Sequence, residues 1–410
     1  MGKNTKKQWD LVVIGAGASG MMAAITAARE NKKVCILEKL DKAGKKLLAT
    51  GNGKCNFTNE IMHSDCYGGD EAFVNQVLQQ FSVEDCLAFF HSIGIYPKNK
   101  NGYYYPNSEQ ASSLNNALLY ELERLGVRIV YETKVKEITS NQEEVCVWTE
   151  KGPFIGKSLI IATGLLAAPK LGSDGSLFDI IKSLGHRFNP ILPTLCGFYC
   201  KGMKFKTVSG VRAHGTVYAY IDNVKYAEDT GEIQFTDYGL SGIPVFQISR
   251  YLSKGLYAKK QVEIKINLLP DFDTNELYDE INYRRSMGAS MPITALLNGL
   301  VHQKLADMIF DKVGIDKDLY ASSVSVEEMS KIIKLLQEIK VTVTNYRDFE
   351  FAQVCTGGIP TSDIHHETLE SKLVPNVYFT GEILDVDGIC GGYNLHFAWA
   401  TGYMAGKAIR

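Results

Sequence analysis

A glycine-spaced turn followed by a carboxylate is the part of this sequence with the clearest chemistry. The apolar run 11–14 ends in the pattern Gly15-x-Gly17-x-x-Gly20, and a second apolar run ends at Glu38. Gly15 permits a tight turn, Gly17 lets the backbone approach a pyrophosphate, and Gly20 lets a helix pack close to a sheet. Glu38 follows at a distance suited to hydrogen bonds from a ribose diol. The spacing therefore predicts a dinucleotide site.

These residues need a strand, a helix and a second strand to position them. Small residues at Ala23, Ala24 and Ala27 continue a helix pattern that runs over 18–30 and fits closely against a sheet. The free N–H groups and the dipole at the start of this helix favour a phosphate there. A glycine-rich turn without a ligand is the alternative, and the flanking strands and the distant acid argue against it.

Both NAD and FAD bind at such a turn, so other segments must distinguish them. The loop 41–60 is longer and more basic than an ordinary connection, and the apolar strand that begins at Leu159 ends in the small residues Ala162, Thr163 and Gly164. Both features favour FAD, because a second strand end and a long loop must then approach the cofactor. The loop residues expected at the cofactor are Gly44, Lys45, Lys46, Gly51, Gly53, Cys55 and Asn56.

The end of the chain also favours FAD. A strand there is followed by acids, of which Glu382, Asp385 or Asp387 can bind the ribityl hydroxyls. A helix that begins near 391–394 can direct its positive end at the pyrimidine edge of the flavin. A plain surface loop at 41–60 and a helix that only closes the domain are the alternative interpretations.

Length, charge and cysteine usage limit the class of protein. A chain of 410 residues can hold two or three domains, and its net charge of −2 argues against nucleic-acid or anionic-lipid partners. No apolar run reaches the roughly 18–20 residues of a membrane span, and the N-terminal segment lacks the apolar region of a signal peptide. Nine cysteines without metal or disulfide spacing predict no metal site and a reducing, cytoplasmic location.

The pattern of apolar and charged residues changes twice along the chain. Residues 193–268 alternate in a β-prone pattern, and residues from 270 to about 340 are more helical and charged. Strand-like, glycine-rich sequence then returns. We predict a discontinuous dinucleotide-binding α/β domain, 1–190 plus 345–410, that is interrupted by an insertion.

Four segments distributed over the whole chain resemble one family of flavoproteins. They are VVIGAGASGMMAA at 12–24, GKKLLATGNGKCNFTN at 44–59, GEIQFTDYGLSGIPVFQISR at 231–250 and TLESKLVPNVYFTGEILDVDGICGGYNLHFAWATGYMAG at 368–406. In these segments the chain is similar to the bacterial BaiN-type, or aminoacetone-oxidase-like, NAD(P)/FAD-dependent oxidoreductases. It departs from the family at Lys54, Leu165 and Asp237, where members often carry Arg, Gly and His.

The resemblance implies a glutathione-reductase-like FAD-binding Rossmann domain, an inserted β-rich domain at 191–269 and a small helical subdomain at 270–344. It also implies a set of FAD contacts spread over the first domain. These are Gly15, Ala16, Gly17, Ala18, Ser19, Gly20, Glu38, Lys39, Gly44, Lys45, Lys46, Asn52, Gly53, Cys55, Asn56, Val135, Ala162, Thr163, Gly164, Gly381, Glu382, Asp387, Gly392, Tyr393, Asn394 and Leu395.

Three side chains are candidates for catalysis. His396 lies one turn into the last helix, where an imidazole can exchange a proton near neutral pH. Cys55 lies by motif beside the flavin and is a candidate redox or nucleophilic thiol. For both residues a packing role is the favoured interpretation. Tyr238 is the third candidate, as a side chain that lines the cleft facing the flavin.

The predicted activity is that of an FAD-dependent oxidoreductase that transfers a hydride equivalent between a small or medium organic substrate and flavin N5. The chain has no second glycine-spaced turn, so NAD(P)H would visit the flavin face transiently as electron donor. In that variant the substrate is an activated double bond. A flavin-dependent amine oxidase that uses oxygen, and a flavin-binding regulatory protein without turnover, are the alternatives. No pattern indicates the oligomeric state.

Overall fold

Buried apolar strands form a parallel sheet in the first part of the chain. The computed structural model describes residues 8–287 and 291–409. Two units are distinguished by their internal contacts, Met1–Leu192 with Gln353–Arg410 and Pro193–Ala352. Each is described by itself below.

The first unit begins with alternating strands and helices. Its strands up to the insertion are β1 Gln8–Ile14, β2 Val34–Leu37, β3 Thr58–Asn59, β4 Tyr67–Gly68, β5 Pro97–Lys100, β6 Tyr103–Pro106, β7 Arg128–Val130, β8 Val135–Ser140, β9 Val145–Thr149, β10 Gly152–Ile161 and β11 Asn189–Thr194. Its helices are α1 Ala18–Arg29, α2 Lys45–Ala49, α3 Glu71–Gln80, α4 Val83–Ser92, α5 Ala111–Arg124 and α6 Phe178–Ser183.

The second unit combines a barrel with helices. Its strands are β12 Phe198–Lys201, β13 Arg212–Ile221, β14 Val224–Phe235, β15 Gly239–Ser241, β16 Val262–Asn267 and β17 Ile339–Tyr346. Its helices are α7 Phe205–Val208, α8 Ile243–Tyr257, α9 Thr274–Ser286, α10 Gln303–Val313 and α11 Val326–Gln337. The chain then returns to the first unit with β18 Val354–Gly358, β19 Val377–Phe379, β20 Asp387–Gly388 and α12 Tyr393–Ala408.

The main sheet of the first unit has the strand order β7-β2-β1-β10-β9-β8, and β19 pairs with β10. Strands β2, β1, β10 and β19 run parallel, and the register places Ile14 beside Leu37 and Ile161. Val34–Leu37 are all buried, as expected for parallel strands that are covered on both faces. The carboxyl ends of β1, β2 and β10 therefore meet at one edge of the sheet, which is where ligands bind in such folds.

Helix α1 packs against the sheet and against α12 at backbone distance. A Cβ added at Gly20 would lie 2.0 Å from the carbonyl oxygen of Gly15. A Cβ at Gly402 of α12 would lie 2.4 Å from the carbonyl oxygen of Ser19, and one at Gly406 would lie 2.6 Å from that of Ala23. A side chain at any of these three positions would collide with backbone. Only glycine therefore allows the sheet, α1 and α12 to approach one another this closely.

The barrel of the second unit closes in the order β12-β15-β14-β13-β16-β17. Strand β17 pairs with both β16 and β12, and its buried residues Val341 and Val343 alternate with exposed ones. Helices α9 to α11 lie in sequence between β16 and β17. Strand β17 spans Ile339–Tyr346, so the predicted end of the helical subdomain at residue 344 falls inside a barrel strand. The division of the insertion into a β-rich and a helical part stays a prediction.

The stability of the first unit should depend on the glycine at the helix crossing. Gly402→Ala should lower the free energy of unfolding by about 1–3 kcal/mol, because the added methyl meets backbone that cannot move independently. Chemical denaturation of the purified variant measures this.

Gly255→Ala in α8 is the matched control, since the atoms nearest to a Cβ there belong to the side chains of Val262 and Ile221 and not to backbone. Both variants gain about 1 kcal/mol of helix propensity, so their difference reports the clash. Equal stability of the two variants would contradict the close helix crossing.

Candidate functional site

The glycine turn after β1 has the geometry that its sequence predicts. Gly15 has φ +102°, and a Cβ there would lie 2.6 Å from the carbonyl oxygen of Ala162, at the end of β10. Gly17 differs, because its backbone is extended and a Cβ there would meet nothing within 4 Å. Gly17 precedes α1, whose first turn has neither a side-chain cap nor an acidic residue. The first N–H groups of α1 are therefore available to an anion beside the open face of Gly17.

Glu38 is anchored next to this turn. Its side chain is buried, and its two carboxylate oxygens accept hydrogen bonds from the N–H groups of Ala16 and Leu40, both at 2.8 Å. A carboxylate can accept about four hydrogen bonds, so capacity remains for a ribose diol. The structure therefore brings Glu38 to the turn, in an orientation held by backbone.

The loop after Glu38 returns to the same turn. Gly44 has φ +72° and donates its N–H to the carbonyl oxygen of Ala16 at 2.9 Å. Lys46 Nζ lies 2.5 Å from Glu382 Oε2, and the second oxygen of Glu382 accepts from the N–H of Cys355 at 3.0 Å. The ion pair joins two predicted contact residues that are far apart in the sequence.

Two other lysines of the predicted set face acidic partners. Lys45 pairs with Asp41 at 2.6 Å, and Lys39 pairs with Asp174. Both pairs are partly exposed, so their ammonium groups contribute little to stability. Their role at a cofactor stays a prediction.

Residues 50–56 form an exposed, tightly curved segment. Gly51, Asn52, Gly53 and Cys55 all have left-handed backbone, with φ between +52° and +82°. The surface of 51–54 is exposed, which suits backbone that lies beside a flat ring. Cys55 alone turns its side chain fully inward.

The end of the chain completes the edge of the site. A Cβ at Gly381 would lie 2.6 Å from Ser19 Oγ at the start of α1, and the N–H of Gly381 donates to Thr401 Oγ1 at 2.9 Å. Gly164, with φ +66°, lies beside Ser173, since a Cβ there would be 2.8 Å from its Oγ. The predicted contacts from β1, β10 and 381 thus converge on one helix terminus.

Helix α12 offers a second uncapped N-terminus. Its N-cap is Gly392, with φ +92°, and no side chain caps the helix. A Cβ at Gly392 would lie 2.9 Å from Asn56 Oδ1, so the start of α12 contacts the 50–56 segment. Asn394 instead binds local backbone, since its side chain pairs with both the N–H and the carbonyl oxygen of Gly388 at 2.8 Å.

Five further predicted contacts have defined positions in the structure. Tyr393 is buried, and burial raises the pKa of its phenol. Asp387 is buried in β20 and has a partner of its own. Val135 begins β8 and pairs with Thr149 across the sheet. For Ala18 and Leu395, the backbone positions in the first turns of α1 and α12 are consistent with the prediction.

His396 is enclosed completely by protein atoms. Its Nδ1 lies 2.8 Å from Thr58 Oγ1 and its Nε2 lies 3.2 Å from the carbonyl oxygen of Phe81. Burial lowers the pKa of the imidazole to about 4. Both nitrogens are occupied and the ring has no accessible surface, so these surroundings favour a packing role and do not support proton exchange with a substrate.

The Cys55 thiol is also fully buried. Burial raises its pKa to about 12, and the reactive thiolate is therefore scarce at neutral pH. Cys55 forms no disulfide. These surroundings favour the packing interpretation of Cys55 over a redox or nucleophilic one.

Tyr238 lies in the turn between β14 and β15 of the second unit and is half-buried. Its ring centroid is 5.3 Å from that of Tyr199, and Arg347 Cζ lies 4.3 Å from it. Sequence reasoning does not identify Arg347, for which the signal is only a basic residue within the aromatic run 346–351. Among the described residues, no three metal-ligating side chains cluster and no helix is long and apolar enough to cross a bilayer.

These residues fit an FAD molecule, because two uncapped helix termini, a carboxylate anchored beside the glycine turn and an open face at Gly17 lie at one sheet edge. Gly17→Val should therefore lose bound FAD and remain folded, since no protein atom lies within 4 Å of a Cβ at this position. Visible flavin absorbance and the melting temperature, compared with deflavinated wild type, measure the two effects.

Gly15→Val is the contrasting variant, because left-handed backbone and the Ala162 carbonyl oxygen both oppose a side chain there. It should fold poorly. A yellow Gly17→Val protein would contradict the placement of the pyrophosphate.

The stability of the protein should depend on His396 between pH 6.5 and about 4. The folded state keeps the imidazole neutral down to about pH 4, whereas the unfolded chain takes up a proton near pH 6.5, so stability is lost as pH falls through this window. The wild type should lose about 3 kcal/mol there that His396→Gln does not lose. Denaturation at a series of pH values measures the difference.

His91→Gln, at an exposed histidine, is the control and should keep the wild-type pH dependence. If the free energy of unfolding of His396→Gln depended on pH in the same way as that of the wild type, the buried imidazole would not resist protonation.

Comparison with known proteins identifies whole-length relatives. A 3-dehydro-bile acid delta(4,6)-reductase of Clostridium scindens is 40% identical over 399 residues, which are 97% of this chain and 98% of that protein. A ribosomal RNA dihydrouridine synthase of Haemophilus influenzae is 29% identical over 97% of this chain and 98% of its own length. Both relatives align with the first and the second unit.

A crystal structure shows the same fold. It is that of a 3-ketosteroid-delta4-(5alpha)-dehydrogenase from Rhodococcus jostii RHA1, with 15% sequence identity, a TM-score of 0.50, and coverage of 98% of this chain and 96% of that one. The model of the HI0933-like protein Rossmann domain matches residues 9–408. The predicted α/β Rossmann fold with an additional β-rich domain is thereby confirmed. The chain belongs to the HI0933-like family of Rossmann-fold proteins and is an FAD-dependent oxidoreductase.

Proposed function

We propose that this protein reduces a carbon–carbon double bond that is conjugated to a carbonyl group in a steroid acid, with NAD(P)H as the electron donor. The observation that carries the proposal is the 40% identity to a 3-dehydro-bile acid delta(4,6)-reductase over nearly the full length of both chains. Double bonds at positions 4 and 6 of a 3-oxo steroid are conjugated to its carbonyl. This relative supports the proposed substrate class.

The reaction type has a second support. A dihydrouridine synthase reduces the double bond of a uracil ring, which is also conjugated to a carbonyl group, and two whole-length relatives carry that name. The relatives therefore share the reduction of an activated double bond although their substrates differ. This shared chemistry favours the reductase over an amine oxidase.

The protein supplies binding and orientation in this reaction, and bound FAD supplies the hydride transfer to carbon. We propose that the N-terminus of α1 holds the pyrophosphate, that Glu38 holds the ribose and that the N-terminus of α12 faces the pyrimidine edge of the flavin. Each group is held by backbone contacts, so little reorganisation is needed when charge develops.

The substrate side is assigned to fewer residues. Of the three predicted catalytic side chains, Tyr238 is the one that keeps accessible surface, so it remains our candidate for contact with the substrate. Cys55 and His396 are enclosed by protein atoms. We propose that these two residues pack the cofactor loop and the last helix and take no part in the reaction.

The activity can be tested under strictly anaerobic conditions. NADH or NADPH should bleach the flavin of the purified holoprotein, and a 3-oxo-4,6-diene bile acid should restore its absorbance with a gain of two hydrogens in the product by mass spectrometry. An amine that bleaches the flavin where neither nicotinamide does would contradict the proposal and favour the oxidase.

Ribosomal RNA is the substrate of the second candidate function, which the relatives of 29% and 27% identity favour. The same reduced protein should then convert uridine in unmodified ribosomal RNA to dihydrouridine. Turnover of RNA and none of the steroid would replace the first proposal with the second. The 40% identical relative places the steroid first.

A further inference from the structure

An arginine enclosed by aromatic rings lies at one end of the barrel in the second unit. Arg347 directly follows β17, and its Cζ lies 3.8 Å from the ring centre of Phe351, 4.3 Å from that of Tyr238 and 5.7 Å from that of Tyr199. The backbone N–H of Arg347 donates to the carbonyl oxygen of Gly197 at 2.9 Å, which secures the residue to the strand beside it. The barrel therefore holds the guanidinium in place.

One N–H group of this guanidinium has no acceptor among the described residues. Arg347 Nε is buried and has no hydrogen-bond partner within the part of the chain that the structure describes. Aromatic faces attract the positive charge but provide no acceptor in the plane of the guanidinium. A buried donor without an acceptor costs about 1–3 kcal/mol, which calls for a functional explanation.

Two of the aromatic side chains beside Arg347 reach the protein surface. The side chains of Phe351 and Tyr199 are 53% and 37% exposed, so aromatic surface stays accessible beside the guanidinium. The edge of a guanidinium matches a carboxylate with two parallel hydrogen bonds, and such a carboxylate would supply the acceptor that Arg347 Nε lacks. The combination suits a rigid hydrocarbon skeleton that carries one carboxylate.

We propose that Arg347, Tyr199, Tyr238 and Phe351 form a binding subsite for the carboxylate of an apolar, ring-containing organic acid. This inference rests on the proposed function, since a bile acid is a molecule of that class. In this proposal Arg347 binds the acid group of the ligand. The predicted effect therefore falls on binding and on preference for the acid over its neutral ester.

Calorimetric titration of the holoprotein with cholic acid and with its methyl ester tests the subsite without any turnover. The wild type should bind the acid about tenfold to a hundredfold more tightly than the ester, as expected for a charge-assisted pair of hydrogen bonds. Arg347→Gln should abolish this preference. Arg347→Lys should keep part of it, because charge remains but the planar fork is lost.

Arg212→Gln is the matched control, at an arginine of the same unit that pairs with Glu232 on the surface. It should keep the wild-type preference. A wild type that does not distinguish acid from ester, or an Arg347→Gln variant that retains the preference, would overturn the subsite.

The two proposals fail separately. Absence of steroid reduction by wild-type holoprotein that nevertheless prefers the acid in an Arg347-dependent manner would contradict the proposed function and support the subsite. If the wild type reduces the steroid and Arg347→Gln keeps the wild-type ratio of kcat/KM for the acid to kcat/KM for the ester, the proposed function would be supported and the subsite contradicted.

Discussion

Helix α1 can approach its neighbours only where the opposing residues have no side chain, and the first unit depends on this constraint. Gly20 lies against the carbonyl oxygen of Gly15, and Gly402 of α12 lies against that of Ser19. Because α1 is held between the sheet and α12, its N-terminus points at the carboxyl ends of β1 and β10. The N–H groups of its first turn stay uncapped, and the anion site follows directly from the way in which the helix packs.

The rest of the candidate FAD site is assembled by backbone hydrogen bonds to this turn. Ala16 contributes both its N–H, to Glu38, and its carbonyl oxygen, to Gly44. One residue of the turn thus positions the Glu38 carboxylate and the start of the long loop. The Lys46–Glu382 pair then joins the loop to the last segment of the chain. Groups that are held in this way need little rearrangement to bind a cofactor, which is the property that flavoenzymes require of their protein.

The reactivity of the candidate catalytic side chains depends on their burial and not on local backbone hydrogen bonds. The Thr58 hydroxyl and the Phe81 carbonyl oxygen occupy both nitrogens of His396, and these partners lie more than 300 residues away in the sequence. Cys55 is enclosed although its neighbours 51–54 are exposed. A motif indicates that such residues lie near a cofactor, but only the packing shows whether their reactive atoms have accessible surface. The same holds for Arg347, whose three aromatic neighbours come from three different segments.

The sequence by itself determined the cofactor class, the Rossmann fold and the glycine positions at the turn. These properties are local, because a left-handed φ at Gly15 and a helix start after Gly17 are set by residue type and short spacing. The membership of the family likewise rests on motifs that can be read directly. Only the tertiary structure decided that His396 and Cys55 are enclosed, that β17 closes the barrel and that Arg347 lies among aromatic rings. Burial and strand pairing depend on which distant segments meet, and short-range patterns in a single chain do not encode that information.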